Sequence, residues 1–110
     1  MKSRLTITAG LLAALAAISL PLQAAEGDAA AGAQKIAMCQ GCHGIPGFRM
    51  AYPEVYSVPK LGGQHAAYLV NALKAYKAGD RAHPTMMAIA ASLSDQDMAD
   101  VAAYYSQQGR

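Results

Sequence analysis

The chain has 110 residues, nine basic and seven acidic side chains, two Cys and no Trp. That length holds one small domain and leaves no room within it for a multidomain enzyme. An apolar fraction of 54% against 15% charged residues excludes a disordered chain.

The first 24 residues read as a secretion signal that is removed. Lys2 and Arg4 make a basic start, Ala9 to Leu20 an apolar run, and Leu22-Gln23-Ala24 places a small residue at the cut. The run is shorter than the roughly 20 residues of a membrane span, which leaves an uncleaved anchor as the alternative. No later segment is long enough to span, so the domain expected is 25–110. Lys2 and Arg4 leave with the signal, and the remaining 86 residues then carry seven basic and seven acidic side chains. A nucleic-acid binder needs a basic stripe, and none remains. A chain this short has a weak core and commonly leans on a disulfide, a metal or a cofactor.

Asp28 to Cys39 predicts a first helix, capped by Asp28 and rich in alanine. Gly32 lies inside it at a cost of roughly 1 kcal/mol relative to Ala, which a close backbone contact would explain. From Gly41 to Gly63 the density of Gly and Pro argues for irregular loop. A loop so long in a small domain has a function or wraps something. His65 to Ala78 predicts a helix with Tyr68, Leu69, Ala72, Leu73 and Tyr76 on one face, ended by Gly79. A short turn of helix is expected around Met87 to Ala91, after Pro84. The last helix starts at Ser94, with Asp97 completing a capping box. Its apolar stripe is Met98, Val101, Ala102 and Tyr105. Period-two alternation is absent, so the fold class expected is all-α.

The segment Cys39-Gln40-Gly41-Cys42-His43 has the C-x-x-C-H pattern of covalent c-type haem attachment. Two thiols three residues apart at a helix end can reach the two vinyl groups on one porphyrin edge. The adjacent His43 then supplies an axial nitrogen to the iron. A thioredoxin-like redox pair needs a βαβ context that is missing. A structural zinc site needs a second pair of ligands. A plain disulfide remains the bland alternative.

The second axial ligand sets the function. Downstream candidates are His65, His83, Met86, Met87 and Met98. Met98 belongs to an apolar stripe and reads as core, and His65 as a solvated surface residue. His83 in its turn is open to both ligation and solvent. Met86 and Met87 are adjacent and cannot face the same way; a soft thioether suits the role, but periodicity alone does not choose between them.

The sequence resembles a class I cytochrome c of the small periplasmic bacterial type, similar to one half of the di-haem class I cytochromes c. The resemblance is carried by Cys39 to His43, by Pro59-Lys60-Leu61-Gly62-Gly63-Gln64-His65-Ala66-Ala67-Tyr68, by Met86, by Leu93-Ser94-Asp95 and by Ala102-Ala103-Tyr104. It implies about four short helices around one haem c bound through Cys39 and Cys42. In that family the ligating Met stands seven residues before the Leu of the Leu-Ser-Asp segment, which favours Met86, with Met87 as second choice. The family also packs its first and last helices across a glycine and an aromatic, here Gly32 and Tyr104. Tyr105 competes for that place because it lies in the apolar stripe. Only one C-x-x-C-H is present, and the loop from Phe48 to Val58 is longer than the minimal pattern. Its aromatics are expected to pack on the porphyrin, with partner contact as the alternative.

The function implied is a periplasmic one-electron carrier, not an enzyme, with iron closed by His43 and Met86. Its partners would be periplasmic or membrane-bound redox proteins: a quinol–cytochrome c oxidoreductase, a terminal oxidase or a dehydrogenase. A monomer is expected. The alternatives are a haem subunit of a larger oxidoreductase and a gas-binding sensor with an open iron site. Pro46 is a possible carbonyl partner for the His43 ring; Lys60, Arg49 and Arg81 read first as solvated surface charges, with haem propionates as the alternative partners.

Overall fold

The computed structural model describes residues 25–52 and 54–109. The expected signal segment, 1–24, lies outside the described residues. Among the described residues five helices follow in chain order: α1 (Ala29–Ala33), α2 (Ala37–His43), α3 (Ala66–Ala78), α4 (Pro84–Ala91) and α5 (Asp95–Ser106). Between α2 and α3 lie two-residue strands, β1 (Arg49–Met50) and β2 (Tyr56–Ser57). They pair antiparallel, Arg49 opposite Ser57 and Met50 opposite Tyr56. The all-α expectation holds with that small addition. Among the described residues no helix is long and apolar enough to cross a membrane.

The expected first helix is broken in two. Gln34 N–H reaches Ala31 O at 3.1 Å and Lys35 N–H reaches Gly32 O at 2.8 Å, three-residue bonds that tighten the chain as a 3₁₀ turn does. Lys35 is anchored in that turn by Asp97 Oδ1 at 2.8 Å and Asp100 Oδ2 at 2.7 Å. The break sends Ile36 into the core and gives α2 its own axis, so helix continues through Cys42 and His43 rather than stopping at Cys39.

α1 packs on α5 through glycine. A Cβ placed on Gly32 would collide with the Asp100 carbonyl and lie 2.9 Å from the Tyr104 Cβ. The cost of Gly32 in a helix is thereby explained, and Tyr104 is the aromatic it meets. Tyr105, one position on, turns into the core instead. A polar knot sits beside this contact. Asp100, only 3% exposed, accepts the Asp28 N–H at 2.8 Å, the Lys35 ammonium, and Gln96 Nε2 at 2.9 Å. Those donors hold its carboxyl down to about 2, the Asp28 backbone N–H first and Lys35 next. Burial of a charge is tolerable only with such a full set of partners.

The stripe Met98, Val101, Ala102 and Tyr105 is buried as expected. Full burial of a side chain like Met98 stabilises by roughly 1.5–3 kcal/mol. Ser94 caps α5 and Asp97 returns the bond, Ser94 N–H to Asp97 Oδ2 at 2.9 Å. α3 ends at Gly79 in the left-handed region, φ 83°. Lys77 Nζ donates to the Leu93 carbonyl and ties α3 to the turn between α4 and α5. α4 starts at Pro84, three residues earlier than expected, because Pro fits the first helical position and His83 supplies a cap.

Candidate haem site

A crevice of about 450 Å³ opens between α2, β2, α3 and α4, floored by α5. One wall is the apolar face of α3: Tyr68, Leu69, Ala72, Leu73 and Tyr76 all line it. Ile89, Leu93, Val101 and Tyr105 complete the apolar surface. The weak core expected of so short a chain therefore takes the form of a shell around a space.

Cys39, Cys42 and His43 line this crevice from α2. Met86 lines it from the first turn of α4, and Met87 is not among the lining residues. Adjacent residues of a helix project about 100° apart, so one of two neighbours must turn away. Met98 is fully buried and lies outside the lining, and His65 is exposed at the start of α3. His83 lines the crevice but its Nδ1 is engaged in capping α4, accepting the Met86 N–H at 3.2 Å.

The His43 ring is oriented by a backbone carbonyl. Nδ1 donates to Pro59 O at 2.7 Å. A carbonyl can only accept, so the ring proton sits on Nδ1 and the Nε2 lone pair is free. The partner is Pro59 rather than Pro46. The loop returns across the crevice mouth to reach His43, and its end is fastened by Gly63 N–H to Tyr105 O at 2.9 Å.

Burial pushes the Cys39 thiol up, opposite to the depressed thiol of a reactive redox pair. Tyr105, 7% exposed, carries a buried hydroxyl with no nitrogen or oxygen hydrogen-bond partner among the described residues, and burial pushes it up to about 12. Among the described residues no group of three or more His, Cys, Asp or Glu side chains is arranged to hold a metal ion.

The long loop divides its aromatics. Tyr56 lines the crevice, whereas Tyr52 is 84% exposed. Packing toward the haem space thus describes Tyr56 and not Tyr52. Of the three basic residues considered for propionates, Lys60 and Arg81 line the crevice and Arg49 does not.

The residues present fit haem c: an apolar slot, two thiols at attachment spacing, an imidazole with its coordinating nitrogen free, and a thioether on another helix. A helical shell around such a slot defines the c-type haem class. The chain belongs to the cytochrome c family, whose family model, Cytochrome c, matches residues 29–108. Its cofactor is haem c, bound covalently. It is 48% identical over 85 residues to cytochrome c-554(548) of Halomonas halodenitrificans, covering 74% of this chain and 98% of that relative. It is 44% identical over 84 residues to cytochrome c4 of Pseudomonas aeruginosa, covering 76% of this chain and 40% of that one. The crystal structure of reduced recombinant cytochrome c4 from Pseudomonas stutzeri superposes with a TM-score of 0.59 at 37% identity, covering 74% of this chain and 46% of that chain. The chain thus spans nearly all of the first relative and less than half of these two cytochrome c4 chains.

Proposed function

We propose that the chain is a periplasmic one-electron carrier. Its haem c would be held by thioether bonds to Cys39 and Cys42, with His43 and Met86 as axial ligands. The observation that carries this reading is the meeting of Cys39, Cys42, His43 and Met86 in one crevice that excludes Met87.

The bound haem supplies exchange of one electron between ferric and ferrous iron, and His/Met ligation raises its potential. The protein's own residues do the rest. Pro59 O holds the His43 Nδ1 proton and so presents Nε2 in a fixed tautomer. Met86, which lines the same crevice from α4, would supply the second ligand and so leave the metal no position for a substrate or gas. Leu69, Leu73, Ile89, Leu93 and Val101 give the slot an apolar lining that would keep water from a bound haem. Cys39 and Cys42 lie at the edge through which transfer to a partner would pass.

The basic, then apolar, start of the chain supports export to the periplasm. The partners would be a quinol–cytochrome c oxidoreductase, a terminal oxidase or a dehydrogenase. Such encounters are small and transient. Balanced charge in 25–110 implies weak electrostatic steering.

Carbon monoxide tests the reading. The reduced protein at neutral pH is expected to bind it slowly and incompletely. Rapid, complete binding would mean an open iron and would favour a sensor. Attachment is read by mass: Cys39→Ala with Cys42→Ala should yield a chain without bound haem.

A further inference from the structure

His83 joins three parts of the crevice wall. It is the N-cap of α4, with extended backbone at φ −161° and ψ 107°. Its Nδ1 accepts the Met86 N–H at 3.2 Å, and its carbonyl accepts the Met87 N–H at 2.8 Å. The half-buried ring stands edge-on to Tyr56 of β2, centroids 5.0 Å apart at 87°, and to Tyr76 of α3, 6.4 Å apart at 75°. The Arg81 guanidinium covers the Tyr76 ring at 4.8 Å. Ser, Thr, Asp and Asn are the usual caps, and any of them would satisfy the Met86 N–H. None of them could fill the space between two tyrosines. An imidazole does both, and the accepting Nδ1 puts its ring proton on Nε2.

We propose that His83 is a positioning residue for the Met86 sulfur, an inference that rests on the His/Met ligation proposed above. The cap sets the register of the first turn of α4, so that Met86 and not Met87 turns to the crevice. Contact with Tyr56 and Tyr76 fastens that turn to the hairpin and to α3. The thioether is thereby held in place, and exchange of Met86 for an external ligand is slowed.

The test uses the full chain loaded with haem, in the ferric state, with three variants: His83→Ala, His83→Asn and His83→Phe. Two signals are read, the sulfur-to-iron charge-transfer band and the rate of cyanide uptake, which needs the thioether to leave. Loss of a cap costs typically ~1 kcal/mol, so His83→Ala should take up cyanide roughly fivefold faster and lose the band at lower temperature. His83→Asn, which can cap but has no ring, should restore part of the wild-type slowness; His83→Phe, which keeps a ring but cannot accept, should restore less. If His83→Ala does not take up haem, the Asn and Phe variants carry the same comparison. Denaturant unfolding is followed in parallel. A drop in unfolding stability with an unchanged cyanide rate overturns the positioning role. So does a Phe variant that matches wild type. A wild-type protein lacking the band, or a band that survives Met86→Ala, instead overturns the ligation itself.

Discussion

The Nδ1 of His43 donates to the carbonyl of Pro59 at 2.7 Å, across sixteen residues of loop. The bond does two things at once. It fixes the tautomer of a ring on α2, and it pins the strap that returns from the β1–β2 hairpin to α3. Because the acceptor is backbone, side-chain replacement leaves it in place. Pro59→Ala should therefore keep the haem spectrum while releasing the chain constraint. A loss of about 0.4–1 kcal/mol in denaturant unfolding is expected, with the axial ligation bands unchanged.

Gly32 admits no side chain. Gly32→Ala forces a Cβ against the Asp100 carbonyl and the Tyr104 Cβ, and backbone cannot step aside as a flexible side chain would. Overpacking of this kind costs typically 1–3 kcal/mol, less the small helix gain of Ala. The denaturant midpoint should fall with an unchanged slope, which marks a loss of stability rather than a changed unfolded state.

Acid should loosen the contact between α1 and α5. The Asp100 carboxyl is held down from 3.8 to about 2, so the unfolded chain binds a proton that the folded chain refuses. Its contribution is present above about pH 4 and fades as pH falls toward 2. Asp97, held well below the usual carboxylate range first by Lys35 and then by Ser94, acts in the same direction. Asp100→Asn should flatten the stability profile across that window, as read by thermal melts at stepped pH.

Alkali acts through Tyr105. Burial raises its hydroxyl from 10.0 to about 12, so the folded state keeps a proton the unfolded chain would lose. Its contribution is whole below pH 10 and declines as pH climbs to 12. In Tyr105→Phe the part of the alkaline slope due to this group should vanish, a difference that melts at stepped pH would detect.

Some of this was legible from residue order and some was not. The α3 and α5 stripes are local signals, written at fixed spacing, and both hold in the fold; the C-x-x-C-H segment is equally local, and Cys39, Cys42 and His43 all line the crevice. Gly32 was readable as a cost without a visible cause, and the cause lies in α5, 68 positions on at Asp100. The break after Ala33 was hidden because alanine and Lys35 favour helix locally. The tie of Lys35 to Asp97 and Asp100 is a property of the assembled helices. Two-residue strands are too short to leave an alternating pattern. Pro59 was missed as the His43 partner because a carbonyl acceptor has no residue signature. The dual place of His83 as cap and aromatic spacer depends on Tyr56 and Tyr76, which only folding brings beside it.

The sulfur-to-iron charge-transfer band of the ferric protein, measured in Met86→Ala and Met87→Ala side by side, tests the central claim most directly. Loss of the band in Met86→Ala and its retention in Met87→Ala is the predicted result. Retention in Met86→Ala with loss in Met87→Ala would contradict it.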